Sequence, residues 1–117
     1  MKQRKLAQVR AQKIKNFGSS AANAAHLASG SGEMHLYLLR FGAGGEIGEH
    51  ETGFAQILVV LQGSGWVEEA GHRKEIACGD AIQFSRGVMH AKGSKKGMTV
   101  LMLQCSELSS RLTVRKM

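Results

Sequence analysis

Short apolar runs, each closed by glycine or polar residues, dominate this chain from residue 34 onward. Residues 34–41 read MHLYLLRF and stop at GAGG, residues 54–61 read FAQILVVL and stop at QGSG, and residues 98–105 read MTVLMLQC. Runs of this length, rich in Leu, Val, Ile and aromatic residues, are strands rather than helices. Residues 46–52 alternate in character. Residues 66–69 and 73–77 flank a hairpin tip at Ala70-Gly71-His72, and Cys78-Gly79-Asp80 turns the chain into a strand at 81–84. A further turn at Ser85-Arg86-Gly87 delivers Val88-Met89-His90. The pattern predicts roughly eight short strands with no interior helix, an all-β sandwich or jelly-roll barrel.

Period-two alternation assigns faces within these runs. Phe54, Gln56, Leu58 and Val60 share one face, so an amide sits among apolar neighbours and is expected to find a hydrogen-bond partner. In 46–52 the same rule groups Glu46, Gly48, His50 and Thr52. Both faces of 34–41 are partly apolar, which leaves open whether His35 and Tyr37 or Leu36, Leu38 and Arg40 face inward.

The 117 residues suit one domain with a true core, and fifteen glycines without a single proline suit tight turns between strands. The pattern divides the chain into a basic arm and loop at 1–33 with room for one strand, a barrel core at 34–106 and a basic tail at 107–117. The net charge of +7 is concentrated at the ends: residues 1–15 carry six Lys/Arg and no acid, and 111–117 carry three more. The body is therefore mildly acidic. No recognition motif accompanies the basic ends and aromatic residues are few, so nucleic acid is not an expected partner and the tails read as solubilising. No apolar run reaches the roughly 20 residues that a membrane span needs. Cys78 and Cys105 lack metal-ligand or disulfide-framework spacing, and no secretory segment follows the basic start; a reduced, cytoplasmic setting is expected.

Of five histidines, only His50 and His90 are placed to meet. His26 lies in a small-residue loop and His72 at a hairpin tip, both expected in solvent, while His35 stands as a lesser pocket candidate.

The glycines and histidines of 44–94 resemble the motifs of the cupin family. The first, G-x5-H-x-H-x3–4-E-x6-G, is matched by Gly44, His50, Thr52, Gln56 and Gly63. The second, G-x5-P-x-G-x2-H-x3-N, falls on Gly79, Ser85, Gly87, His90 and Ser94. The resemblance implies a single double-stranded β-helix barrel and association as a homodimer, with the strand at 98–105 available to serve it. In metal-bearing cupins three histidines and the glutamate surround a divalent ion. Here Thr52 replaces one histidine and Gln56 the glutamate. His50, Gln56 and His90 are the candidate ligands for one divalent transition metal (Zn, Fe, Ni or Mn), with Thr52 contributing at most a supporting hydroxyl. Thr52, Phe54, Leu58, Val60, Ile82, Phe84 and Met89 are the expected lining of a pocket between the two histidines. Such a wall suits a small apolar or carbonyl-bearing ligand.

Three functions follow from this reading: a small-molecule binding module, which the loss of the glutamate favours; a metal-dependent enzyme of dioxygenase, isomerase or lyase type; and an interaction protein with basic tails and a vestigial pocket. Whether the chain is an enzyme is left open.

Overall fold

The computed structural model describes residues 1–114. Its strands are β1 (Lys2–Lys5), β2 (Gln12–Lys13), β3 (Asn23–Ala24), β4 (Ala28–Phe41), β5 (Glu46–Glu51), β6 (Ala55–Glu69), β7 (His72–Ala77), β8 (Asp80–Phe84), β9 (Met89–Gly93) and β10 (Met98–Ser110). A 3-10 turn at Leu6–Gln8 is the one helical element among the described residues. β2 and β3 pair with each other, and the remaining eight strands form antiparallel layers joined through β6. One layer runs β1-β8-β6-β10-β4, and in the other β9 bridges β5 to β6, with β7 on the far side of β6. The all-β, jelly-roll expectation is met.

β6 is the correction that matters most to the architecture. The sequence suggests two strands separated by QGSG, whereas the structure has one long strand bending from the first layer into the second. The pairing passes from Val60↔Val100 to Gln62↔Thr99, so Leu61 is an unpaired bulge residue. Gly63 follows at φ +79°, where a Cβ would meet the Gly97 carbonyl oxygen at 2.3 Å. QGSG is therefore a corner within a strand, available because glycine tolerates both the dihedral and the close approach. The hairpin between β6 and β7 matches the sequence reading: Ala70 (φ +48°) and Gly71 (φ +82°) form its two-residue tip.

Register across β6, β10 and β4 places residues in rows that share a face. Leu58 lies opposite Met102, which lies opposite Tyr37; Gln56 lies opposite Gln104, which lies opposite His35. Leu58, Val60, Val100 and Met102 belong to the core with Phe41, Val67, Ile76, Ile82, Phe84 and Met98. His35 and Tyr37 thus share the inner face, and Leu36 and Leu38 the outer one.

The outer face also carries apolar residues, and the chain ends cover part of it. β1 pairs with β8, and Val9 and Leu112 pack with Ile57 and Ala81 in a second cluster. Residues 1–33, read from sequence as a basic arm and loop, contribute an edge strand and part of that cluster. β4 begins at Ala28 and β10 continues to Ser110, each extending its predicted strand. The alternation was hidden there by Ser and Gly, whose small side chains carry no hydropathic signal. Arg115 and Lys116 of the basic tail lie outside the described residues. No helix in the described residues is long and apolar enough to cross a membrane.

Candidate functional site

β5 and β9 bring His50 and His90 together. The register runs Ile47↔Lys92 and then His50↔His90, three residues on β5 against two on β9, so a bulge lies between Ile47 and His50. The bulge overturns the grouping of Glu46, Gly48 and His50 on one face: Ile47 and His50 lie opposite Lys92 and His90, which share a face of β9. It also exposes the Gly48 carbonyl to the ring of its neighbour, and His50 Nδ1–H donates to it at 2.8 Å.

That bond fixes both tautomers. A carbonyl only accepts, so neutral His50 carries its proton on Nδ1 and leaves Nε2 bare. His90 Nε2 stands 3.0 Å from His50 Nε2, and His90 is therefore the donor. His90 Nδ1 is consequently a bare acceptor, and it is buried without a partner among the described residues. The His90 side of the pair is closed, with 1% of the residue exposed and the Phe84 ring 4.8 Å away edge-on. Burial first, then the charges of Lys92 and His50, lower the His90 pKa to about 3.

Gln56 is buried, at 2% exposure, opposite Phe84 on β8. The expected partner for its amide oxygen is missing: Oε1 has no donor among the described residues. Thr52 is buried too, but its hydroxyl is committed elsewhere. Oγ1 donates to the Ser85 carbonyl at 2.9 Å and accepts from Val88 N–H at 3.1 Å. Together with the Thr52 N–H to Val88 O and Gly87 N–H to Thr52 O bonds, this ties the end of β5 to the turn before β9. Thr52 holds His50 and His90 in register rather than facing a ligand. Ser94 plays a similar part at the other end of β9, donating to the Ser64 carbonyl at 2.6 Å.

Of the remaining wall candidates, Leu58, Val60, Ile82 and Phe84 lie in the core, and Phe54 meets His35 edge-on at 5.5 Å. Met89, adjacent to His90 and hence on the opposite face, is 42% exposed. His35 is half-exposed and bonded to Glu33, and His26 and His72 are exposed. Cys78 is exposed and Cys105 buried, both as free thiols.

Lys92 is the residue that sequence reasoning passed over. It is 2% exposed, opposite Ile47 on β5 and Val67 on β6, with Nζ 5.8 Å from the centre of the Phe84 ring. Burial lowers its pKa to about 8. Two-residue alternation from His90 along AlaLysGly was signal enough to place it inward.

The donor set fits a resident divalent ion only in part. Two ligands about 2.1 Å from one ion at a right angle stand about 3.0 Å apart, which the imidazoles satisfy. No group of three His, Cys, Asp or Glu that could hold a metal occurs among the described residues. Gln56 is neutral, and the Lys92 ammonium on the same face repels a cation. Two neutral imidazoles and a neutral amide beside a cation make a poor divalent-metal site.

Neither a protein-family model nor a curated protein matches the sequence. Solved structures do match. A conserved protein of unknown function from Streptococcus pyogenes superposes with a TM-score of 0.61 at 19% identity, over 64% of this chain and 66% of that one. A cupin superfamily protein from Desulfitobacterium hafniense gives 0.59 at 17% identity, over 68% and 75%. Salicylate 1,2-dioxygenase from Pseudoaminobacter salicylatoxidans gives 0.58 at 17% identity, over 61% of this chain but 20% of the enzyme. The match spans just under two thirds of the streptococcal protein and a fifth of the dioxygenase. At these identities the likeness concerns the fold: the chain is built as a cupin-like, double-stranded β-helix barrel.

Proposed function

We propose that this protein binds a small organic molecule inside the barrel, at the mouth formed by His50 and His90. The observation that carries the reading is unspent hydrogen-bonding capacity in a closed place. Gln56 Oε1 and His90 Nδ1 are both buried acceptors without donors among the described residues, and a buried unpaired polar group costs about 1–3 kcal/mol. Folded proteins rarely keep such groups without a use. A ligand hydroxyl or N–H satisfies the amide, and the His90 Nε2–H, released from His50, serves a ligand carbonyl or carboxylate. The fold itself does not choose an activity, since its structural neighbours include a dioxygenase, a lyase and proteins of unknown function. A metal-dependent enzyme remains the second reading, supported by the 3.0 Å spacing of the two Nε2 atoms. Free thiols at Cys78 and Cys105 suit a reducing, cytoplasmic setting.

The outer face supports association of two copies. β4 ends its layer with Met34 63%, Leu36 61% and Leu38 45% exposed, next to an apolar groove lined by Ile57, Val59, Leu101 and Leu103. Contiguous exposed apolar surface on an edge strand is a liability unless another chain covers it. A homodimer through this face is the proposed assembly.

The test for the pocket is thermal denaturation against a panel of small acids, alcohols, amides and carbonyl compounds. A ligand at 100 times its Kd stabilises by about 2.7 kcal/mol, a shift of several degrees for a domain of this size. Gln56→Leu and His90→Leu should abolish the shift. A panel that leaves wild type unmoved, or shifts equally large in both variants, would rule this reading out.

A further inference from the structure

Lys92, 2% exposed, is a cation with no counter-ion among the described residues. No carboxylate is in ion-pair contact with it among the described residues, whose ion pairs are Met1–Glu69, Lys5–Asp80, His35–Glu33 and Arg73–Glu68. Glu69, which follows Val67 by two residues and lies opposite His90, is engaged by the Met1 amine. The walls around Lys92 are apolar: Ile47 and Val67 flank it across the sheet and the Phe84 ring faces Nζ at 5.8 Å. The same ring faces His90 at 4.8 Å and lies opposite Gln56 in register. Lys92, His90 and Gln56 thus surround one aromatic side chain. The cluster holds a cation, an amide oxygen that lacks a donor, and a His90 N–H that His50 engages and that a ligand oxyanion can take over.

We infer that Lys92 is the anion-recognising residue of the barrel, and that the ligand is a small monocarboxylate bearing a hydroxyl next to the carboxylate, a 2-hydroxy acid. The assignment rests on the pocket reading proposed above and names the chemistry of its ligand. The carboxylate pairs with the Lys92 ammonium and accepts from His90 Nε2–H, and the hydroxyl donates to Gln56 Oε1. One cation in apolar walls matches one negative charge. A phosphate dianion would leave charge uncompensated in the same walls.

The experiment compares glycolate and lactate with lactamide, propane-1,2-diol, acetate and inorganic phosphate, by calorimetry and by amide chemical shifts of uniformly labelled protein. Glycolate or lactate should bind at least tenfold more tightly than lactamide, which keeps the hydroxyl and loses the charge. Acetate should bind more weakly than glycolate. Lys92→Met should lose at least tenfold in lactate affinity, with an unaltered spectrum outside β9, β5 and β8. The wild-type comparison of lactate with lactamide stands even if that variant misfolds. Lactamide or the diol binding as tightly as lactate overturns the role of Lys92 and leaves the pocket reading standing. Phosphate binding in preference to the carboxylates overturns the ligand class. Absence of shifts around His50, Gln56 and His90 with every probe in this set overturns the assignment of a 2-hydroxy acid; the wider panel then decides the pocket reading separately.

Discussion

His50 and His90 are joined edge to edge, Nε2 to Nε2 at 3.0 Å, with Gly48 fixing the proton of one and thereby the proton of the other. The pair is asymmetric: His50 is exposed and His90 is buried against Phe84. Nitrogen-15 spectra of the imidazoles in metal-free protein should show His50 as the Nδ1–H tautomer and His90 as Nε2–H at neutral pH. Finding His90 as Nδ1–H would mean that both Nε2 lone pairs converge, the arrangement a metal would need, and would favour the metal reading.

The sequence carried the fold through its glycines and apolar runs, and carried His50 and His90 through their spacing within them. It could not carry the bulge between Ile47 and His50, because one extra residue in a six-residue strand leaves no periodic trace. Ile47 was therefore assigned to the wrong side. Thr52 was legible as a residue beside the site, but its role depends on the Ser85 and Val88 backbone groups of a distant turn. Lys92 was missed for a different reason. A lysine in a strand reads as a solvated face, and that outweighs the alternation from His90 that puts it inward; the register against Ile47 and Val67 shows this one inside.

Thr52 joins the two strands that carry the histidines, and its replacement should separate packing from hydrogen bonding. Thr52→Val keeps the shape but loses the bonds to Ser85 O and Val88 N–H. A lost hydrogen bond with unsatisfied buried partners costs about 1–3 kcal/mol. Urea denaturation should show that loss, with ligand-induced stabilisation reduced as well. Thr52→Ser should recover most of the stability, since the hydroxyl alone makes those bonds.

Stability should rise with pH in two separate windows. The His90 pKa is lowered to about 3 and that of Lys92 to about 8, in each case chiefly by burial. Unfolded, these groups titrate at their ordinary values near 6.5 and 10.4, so between each pair of values the unfolded chain holds the extra proton. Stability therefore increases from about pH 3 to 6.5 on account of His90 and again from about 8 to 10.4 on account of Lys92, by at most about 1.4 kcal/mol per pH unit for each group. The two groups contribute little between the windows. Chemical denaturation of wild type and Lys92→Met at a series of pH values isolates the alkaline limb. Wild type should gain stability relative to Lys92→Met above pH 8, and a difference independent of pH would show that the ammonium is not desolvated.

Gln56 decides how a metal is treated. Gln56→Glu puts a carboxylate beside Phe84, the ring that His90 packs against, supplies the negative ligand the site lacks, and should raise zinc affinity at least tenfold over wild type, measured by competition with a chromophoric chelator. The gain should be larger in the double variant with Lys92→Met, where the repelling ammonium is gone. Tight, stoichiometric zinc binding by wild type with no gain on adding the carboxylate would reverse the judgement that this donor set suits an organic ligand better than an ion.

The outer face of β4 makes the last prediction. Leu36 is 61% exposed beside Leu103, its partner on β10, and above the groove that Ile57 and Val59 line. Leu36→Glu puts a charge at the centre of the proposed contact without touching the inner face, where His35 and Tyr37 point. Sedimentation equilibrium should find wild type as a dimer and the variant weakened at least 100-fold in self-association, about 2.7 kcal/mol. The thermal response to pocket ligands should persist in the monomer, because the His50–His90 mouth is formed by β5 and β9 of a single chain. A wild type that remains monomeric at high concentration would leave this apolar strand to some other cover, and the dimer would have to be abandoned.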